Sequence, residues 1–81
     1  MELRDTISMM WSDDYKERFK AEYYQVSIRL EKLETMIKKY DEGTLDFTPT
    51  CPIELLRQQA DYMNNYKVIL EQRATYENVT L

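Results

Sequence analysis

The chain has 81 residues, with 32% charged side chains, one glycine, two prolines, one cysteine and no histidine, which bounds it to one small domain. A single cysteine excludes an intrachain disulfide. The missing histidine removes Ser-His, Cys-His and His-metal chemistry, and with it ordinary structural zinc. The net charge of −4 argues against non-specific nucleic-acid binding, and no run of about 18 apolar residues is present to cross a membrane.

Residues 1–11 place Leu3, Ile7, Met10 and Trp11 at i, i+4, i+7 and i+8, the pattern of one face of a short amphipathic helix. A helix this short is marginal alone and is expected to dock on its own chain or on a neighbouring subunit. Met9, Met10 and Trp11 form a bulky, adaptable patch suited to a protein partner, presented as a helix in a groove. The same N-terminus is too acidic, and its apolar part too short, for a signal peptide.

Ser12-Asp13-Asp14 reads as a helix start, and Asp14 with Glu17 has capping-box spacing. The helix is expected over 13–42. Along it Phe19, Tyr23, Val26, Leu30, Leu33, Ile37 and Tyr40 alternate by four and three residues. That spacing averages 3.5 and keeps one narrow seam on a partner helix. Glu34 and Lys38 have the favoured i, i+4 order, and Gly43 is the natural left-handed stop.

Residues 43–51 form the loop. Thr48 and Cys51 each precede a proline, which pushes them out of the α region. Pro52 fits the first turn of the next helix, with Thr50 or Cys51 as its cap. Leu45 and Phe47 are expected to fold back and close the end of the hairpin. Cys51 reads as a packed or capping residue with no partner that would make it a nucleophile.

The second helix is expected over 52–76. One stripe contains Leu56, Ala60, Met63, Leu70 and Ala74, and a second line contains Leu55, Tyr62, Tyr66, Ile69 and Tyr76. Two adjacent lines make a face wide enough for two neighbours. The first helix of the same chain covers one line, and the other calls for a contact between chains. Residues 77–81 are expected to fray. The fold class is therefore all-α: an antiparallel hairpin of two long helices with a short N-terminal helix, one domain over 1–81, assembled into a helical-bundle homo-oligomer.

Charge is uneven. Residues 16–39 carry seven Lys or Arg against four Asp or Glu, whereas residues 40–81 carry three against seven. A basic first helix beside an acidic second one explains most of this. The sharper reading is that the basic flank holds an anion. Lys16, Lys20 and Tyr24 are spaced i, i+4, i+8, so two ammonium groups and an aromatic ring line one flank that can grip a phosphate and stack a base. Arg18 and the loop threonines Thr48 and Thr50 complete the candidate ligand-binding set. No Gly-rich phosphate loop and no supported carboxylate pair occurs; Glu31 and Glu34 read as a solvated face. No catalytic activity, metal or cofactor is expected.

The segments DYKERFKAEYYQ and GTLDFTPTCPIELL, followed by EQRA, resemble a family of small phage proteins found in crAss-like gut phages and related phages. The resemblance covers roughly residues 13–75, and its most specific part is the loop from Gly43 to Pro52. Val26-Ser27 departs from the family pattern, in which a more hydrophobic pair is usual. The resemblance implies a phage origin and a host cytoplasm and carries no site residues with it. In that setting the expected role is counter-defence, by holding a cyclic or other small nucleotide signal between subunits. The alternatives are an inhibitor or adaptor of a host defence protein, using Met9, Met10 and Trp11, and a structural phage component.

Overall fold

The computed structural model describes residues 1–81 and is all-helical. A single 3-10 turn, Leu3–Thr6, runs into a short helix α1, Ile7–Met10. Two long helices follow, α2 over Tyr15–Glu42 and α3 over Ile53–Glu77. Contacts between their opposite ends make α2 and α3 antiparallel: Lys16 reaches Asn78, and Arg57 reaches Asp41. The longest dimension is 43 Å, which the 28 residues of α2 account for at about 1.5 Å each.

Both long helices stop by a left-handed residue. Gly43 has φ 73°, and the N–H of Thr44 donates to the Lys39 carbonyl at 2.9 Å, while that of Gly43 reaches Tyr40 at 3.1 Å. Asn78 does the same for α3 with φ 58°, and the Val79 N–H donates to Ala74 at 2.9 Å. These are Schellman closures, which usually carry an apolar contact across the turn. Val79 and Ala74 make it, since both are buried in the same cluster. The expected fraying of 77–81 is thereby corrected as far as Val79.

The start of α2 differs in detail from its capping-box reading. Asp14 caps alone, its carboxylate accepting from the Lys16 N–H at 2.9 Å. Glu17 turns instead to Lys20, and the Asp14 N–H donates to the Ser12 hydroxyl. The Glu34–Lys38 pair is replaced by Lys38–Glu42, one turn on, where the carboxylate still lies within 4.0 Å. Pro52 sits just outside α3 as its capping residue, and no side chain caps that helix.

The core lies at the open end of the hairpin. Phe19, Val26, Leu70, Ala74 and Val79 form one buried cluster, with Tyr23 and Met63 packed against it. At about 1.5–3 kcal/mol for each large side chain fully buried, this is a small core. Leu30 is also buried, whereas Leu33 and Ile37 nearer the loop are half-buried and Tyr40 is exposed. The loop end is held by a fork: both Arg57 Nη atoms meet the two Asp41 carboxylate oxygens, one of them at 3.0 Å. Leu45 is half-buried there, but Phe47 stays exposed and does not close the hairpin.

The N-terminal segment docks by a different face from the one its α-helical spacing suggests. Leu3 and Met9 are half-buried and Thr6 is fully buried, while Ile7, Met10 and Trp11 are exposed. The reason is the 3-10 start: its three residues per turn stack Leu3 and Thr6, and Met9 follows three positions on in the α turn. Thr6 donates to the Leu3 carbonyl at 2.6 Å and accepts from Gln25 of α2 at 2.9 Å. Ala21, one helical turn before Gln25 and nearly opposite Phe19, is 1% exposed. Helix α2 is therefore covered on two sides, by α3 and by the N-terminal segment.

Candidate functional site

The cationic flank of α2 sits at the open end of the hairpin, beside the small core. Lys16 and Lys20 follow the first turn on one side of the helix, with Tyr24 a turn further on. Lys16 Nζ donates to the Asn78 carbonyl at 3.2 Å, tying this flank to the stop of α3. Lys20 Nζ lies 3.3 Å from Glu17, a partly exposed pair that an incoming anion can replace at small cost. Tyr24 is half-buried, its ring edge-on to Tyr23 with centroids 5.8 Å apart.

Two groups of α3 complete the cluster. Lys67 Nζ lies 5.9 Å from the centre of the Tyr23 ring, and Glu71 accepts from the Tyr23 hydroxyl at 2.6 Å. Burial raises the Tyr23 phenol above its ordinary value, and the bond to Glu71 raises it further. Tyr23 is thus fixed, with an ammonium over its ring and Tyr24 in a T-shaped contact beside it. Lysines and two tyrosines at this spacing can take a phosphate and present ring faces to a base.

Arg18, Thr48 and Thr50 do not join this cluster. Arg18 lies about 200° around the helix from Lys16, and its guanidinium donates to the Ser12 carbonyl at 2.7 Å. Its role is to close the turn before α2. Thr48 and Thr50 are exposed in the loop, about 35 Å along α2 from Lys20 at 1.5 Å per residue. The six candidate residues are therefore not one site within one chain. Thr44, in the same loop, caps α2 by donating to Lys39 at 3.3 Å.

Lys67, Tyr23 and Glu71 were absent from the candidate set. The signal for Lys67 was present: the stripe Leu56, Ala60, Met63, Leu70, Ala74 skips one position in its alternation by four and three, and Lys67 occupies it. A lysine in a core register is informative because its ammonium must reach the edge of the interface. Tyr23 is also a packing residue, as its place in the α2 seam predicts.

The second candidate patch splits. Met9 faces the hairpin, Met10 accepts from the Gln25 amide at 2.9 Å, and Trp11 is 83% exposed. No group of three or more carboxylate or thiol side chains comes together that could hold a metal ion. No helix is long and apolar enough to cross a membrane.

Against known proteins, a family model described as Sequestin matches residues 13–76, which is both long helices and the loop between them. No curated protein and no solved structure matches. The chain belongs to the Sequestin family.

Proposed function

We propose that this Sequestin-family chain is a non-catalytic phage protein that binds and sequesters a small nucleotide immune signal in the host cytoplasm, as a homo-oligomer holding ligand between subunits. The family's name speaks of sequestration, which fits a binding role. The observation that carries the ligand class is the flank of Lys16, Lys20 and Tyr24 on α2, with Lys67 of α3 over the neighbouring Tyr23 ring. Ammonium groups serve a phosphate, and the rings serve a base. The surface is open on one chain, so enclosure of a ligand falls to a second one.

Native mass spectrometry of protein purified gently from bacterial lysate tests this. The expected result is an oligomer carrying a few hundred daltons of nucleotide. Lys20→Ala loses that mass while its helical circular dichroism is unchanged. If no mass is retained, even after incubation with a panel of cyclic nucleotides, the reading fails.

The exposure of Trp11 favours a second reading, an inhibitor or adaptor that inserts the N-terminal segment into a host defence protein. Deleting residues 1–11 then abolishes partner capture and leaves the hairpin folded. Aggregation of the deletion assigns the segment to the fold instead.

A further inference from the structure

Leu55, Gln59, Tyr62, Tyr66, Ile69, Arg73 and Tyr76 follow one another by four and three residues along α3. This is a second seam beside the stripe that packs on α2; among its members Arg73 turns back to α2, its guanidinium 4.9 Å from the Phe19 ring centre and 2.8 Å from Glu77. Its apolar members stand in solvent: Leu55 is 55% exposed, Tyr62 72%, Tyr66 42%, Ile69 52% and Tyr76 88%. An alternation of this kind faces a helix running lengthwise. The chain has none to offer, because α2 covers the other stripe and the N-terminal segment packs on α2.

We infer that a second copy of this chain covers the seam, α3 against α3, with the two helices antiparallel. The inference deepens the homo-oligomer of the preceding section and does not depend on any ligand. Three features support this occupant.

The first is area. The five apolar side chains expose roughly 600 Å² together, before their flanking amides are counted, against about 800 Å² per partner in a standard stable interface. The second is chemistry. The residues beside the seam include Gln58, Asn65 and Gln72, uncharged amides that two copies can exchange without like charges meeting. Tyrosine-rich composition whose one cation, Arg73, is already paired with Glu77 is that of a protein interface and is unsuited to a polyanion.

The third is charge along the length. The loop end, residues 34–61, carries six Asp or Glu against three Lys or Arg. The open end, residues 12–27 with 67–81, carries six against five. A parallel pair sets two acidic loop ends side by side. An antiparallel pair sets each against the nearly balanced open end of its partner, and it also opposes the helix dipoles.

The lone cysteine supplies the test. A spin label on Cys51, which is half-exposed at the loop end, reports the direction of pairing by a pulsed electron-electron distance. Antiparallel pairing puts the two labels on the order of 45 Å apart, whereas parallel pairing leaves them within about 25 Å. Thr50→Cys in a Cys51→Ser background repeats the measurement from an exposed position. Sedimentation of the full chain without nucleotide is expected to give an even oligomer. Tyr62→Glu with Ile69→Glu is expected to keep its helical circular dichroism and to dissociate at least tenfold more readily. A monomeric parent chain, the short label distance, or an undiminished oligomer in the double variant overturns the inference. None of these readouts involves a ligand, so failure of nucleotide binding alone leaves it standing.

Discussion

Lys67 approaches the Tyr23 ring from a position in the α3 stripe where every other member is apolar, its Nζ lying 5.9 Å from the ring centre. A lysine there gives up packing that a leucine would provide. Lys67→Leu is therefore expected to keep or raise the melting temperature: about 0.5–1 kcal/mol of cation–π attraction is lost, and apolar burial of similar or larger size is gained. Retention of nucleotide is expected to fall at least tenfold. Thermal melting and native mass spectrometry on one preparation check both, and a parallel fall of stability and retention would assign Lys67 to the fold alone.

Ser27 has a buried hydroxyl that makes no hydrogen bond of good geometry, although the Tyr23 phenol lies near it. An unmet buried polar group costs about 1–3 kcal/mol. Ser27→Ala is expected to raise stability by about 1 kcal/mol, a shift in melting temperature of about 4–8 °C for a domain of this size. Calorimetry decides it. An unchanged or lower melting temperature would mean that the hydroxyl finds a partner in solution.

Val79 closes the stop of α3 and is 7% exposed. Val79→Ala is expected to destabilise the hairpin by about 1–2 kcal/mol through lost burial and the cavity left behind. Thr80→Ala, exposed next to it, is expected to stay within about 0.5 kcal/mol. Urea titration of the two variants separates a packed terminus from a frayed one.

The Arg57 guanidinium holds the Asp41 carboxyl below its ordinary value of 3.8, chiefly through their hydrogen bonds. A carboxylate whose folded-state pKa is depressed stabilises fully above its unfolded value and loses that contribution as the pH falls through the folded one. The loop end of the wild type is therefore expected to weaken below about pH 4. Asp41→Asn is expected to be less stable at neutral pH and to show less of this acid sensitivity. Thermal melts between about pH 6 and pH 2 of both proteins measure the difference.

Much of the architecture was legible. The seven-residue seam from Phe19 to Tyr40 faces α3 as its spacing requires, although burial fades toward Tyr40. Gly43 takes the left-handed stop that only a residue without a Cβ adopts cheaply. The misses have local causes. The docking face of residues 1–11 is set by a 3-10 turn at Leu3–Thr6, which an α-helical template cannot display. The packed Val79 depends on Asn78 adopting φ 58°, a choice made by the turn and not by apolar spacing. The candidate site was half legible. Spacing along α2 places Lys16, Lys20 and Tyr24 on one flank, but it says nothing of what α3 brings to them. Arg18 was included for its charge alone, and the loop threonines for their hydroxyls, without regard to the length of the hairpin.

Because α2 has cover on two sides and α3 on one, the two helices differ in how readily their backbones open. Amide hydrogens in the middle of α2, around Ala21 to Leu30, exchange only when both neighbours have been shed. Those of α3 need the loss of one. In a single chain the slowest-exchanging amides therefore belong to α2, and α3 behaves as the removable strip of the hairpin. Covering the outer seam of α3 evens this out, so the exchange rates of α3 depend on protein concentration while those of α2 do not.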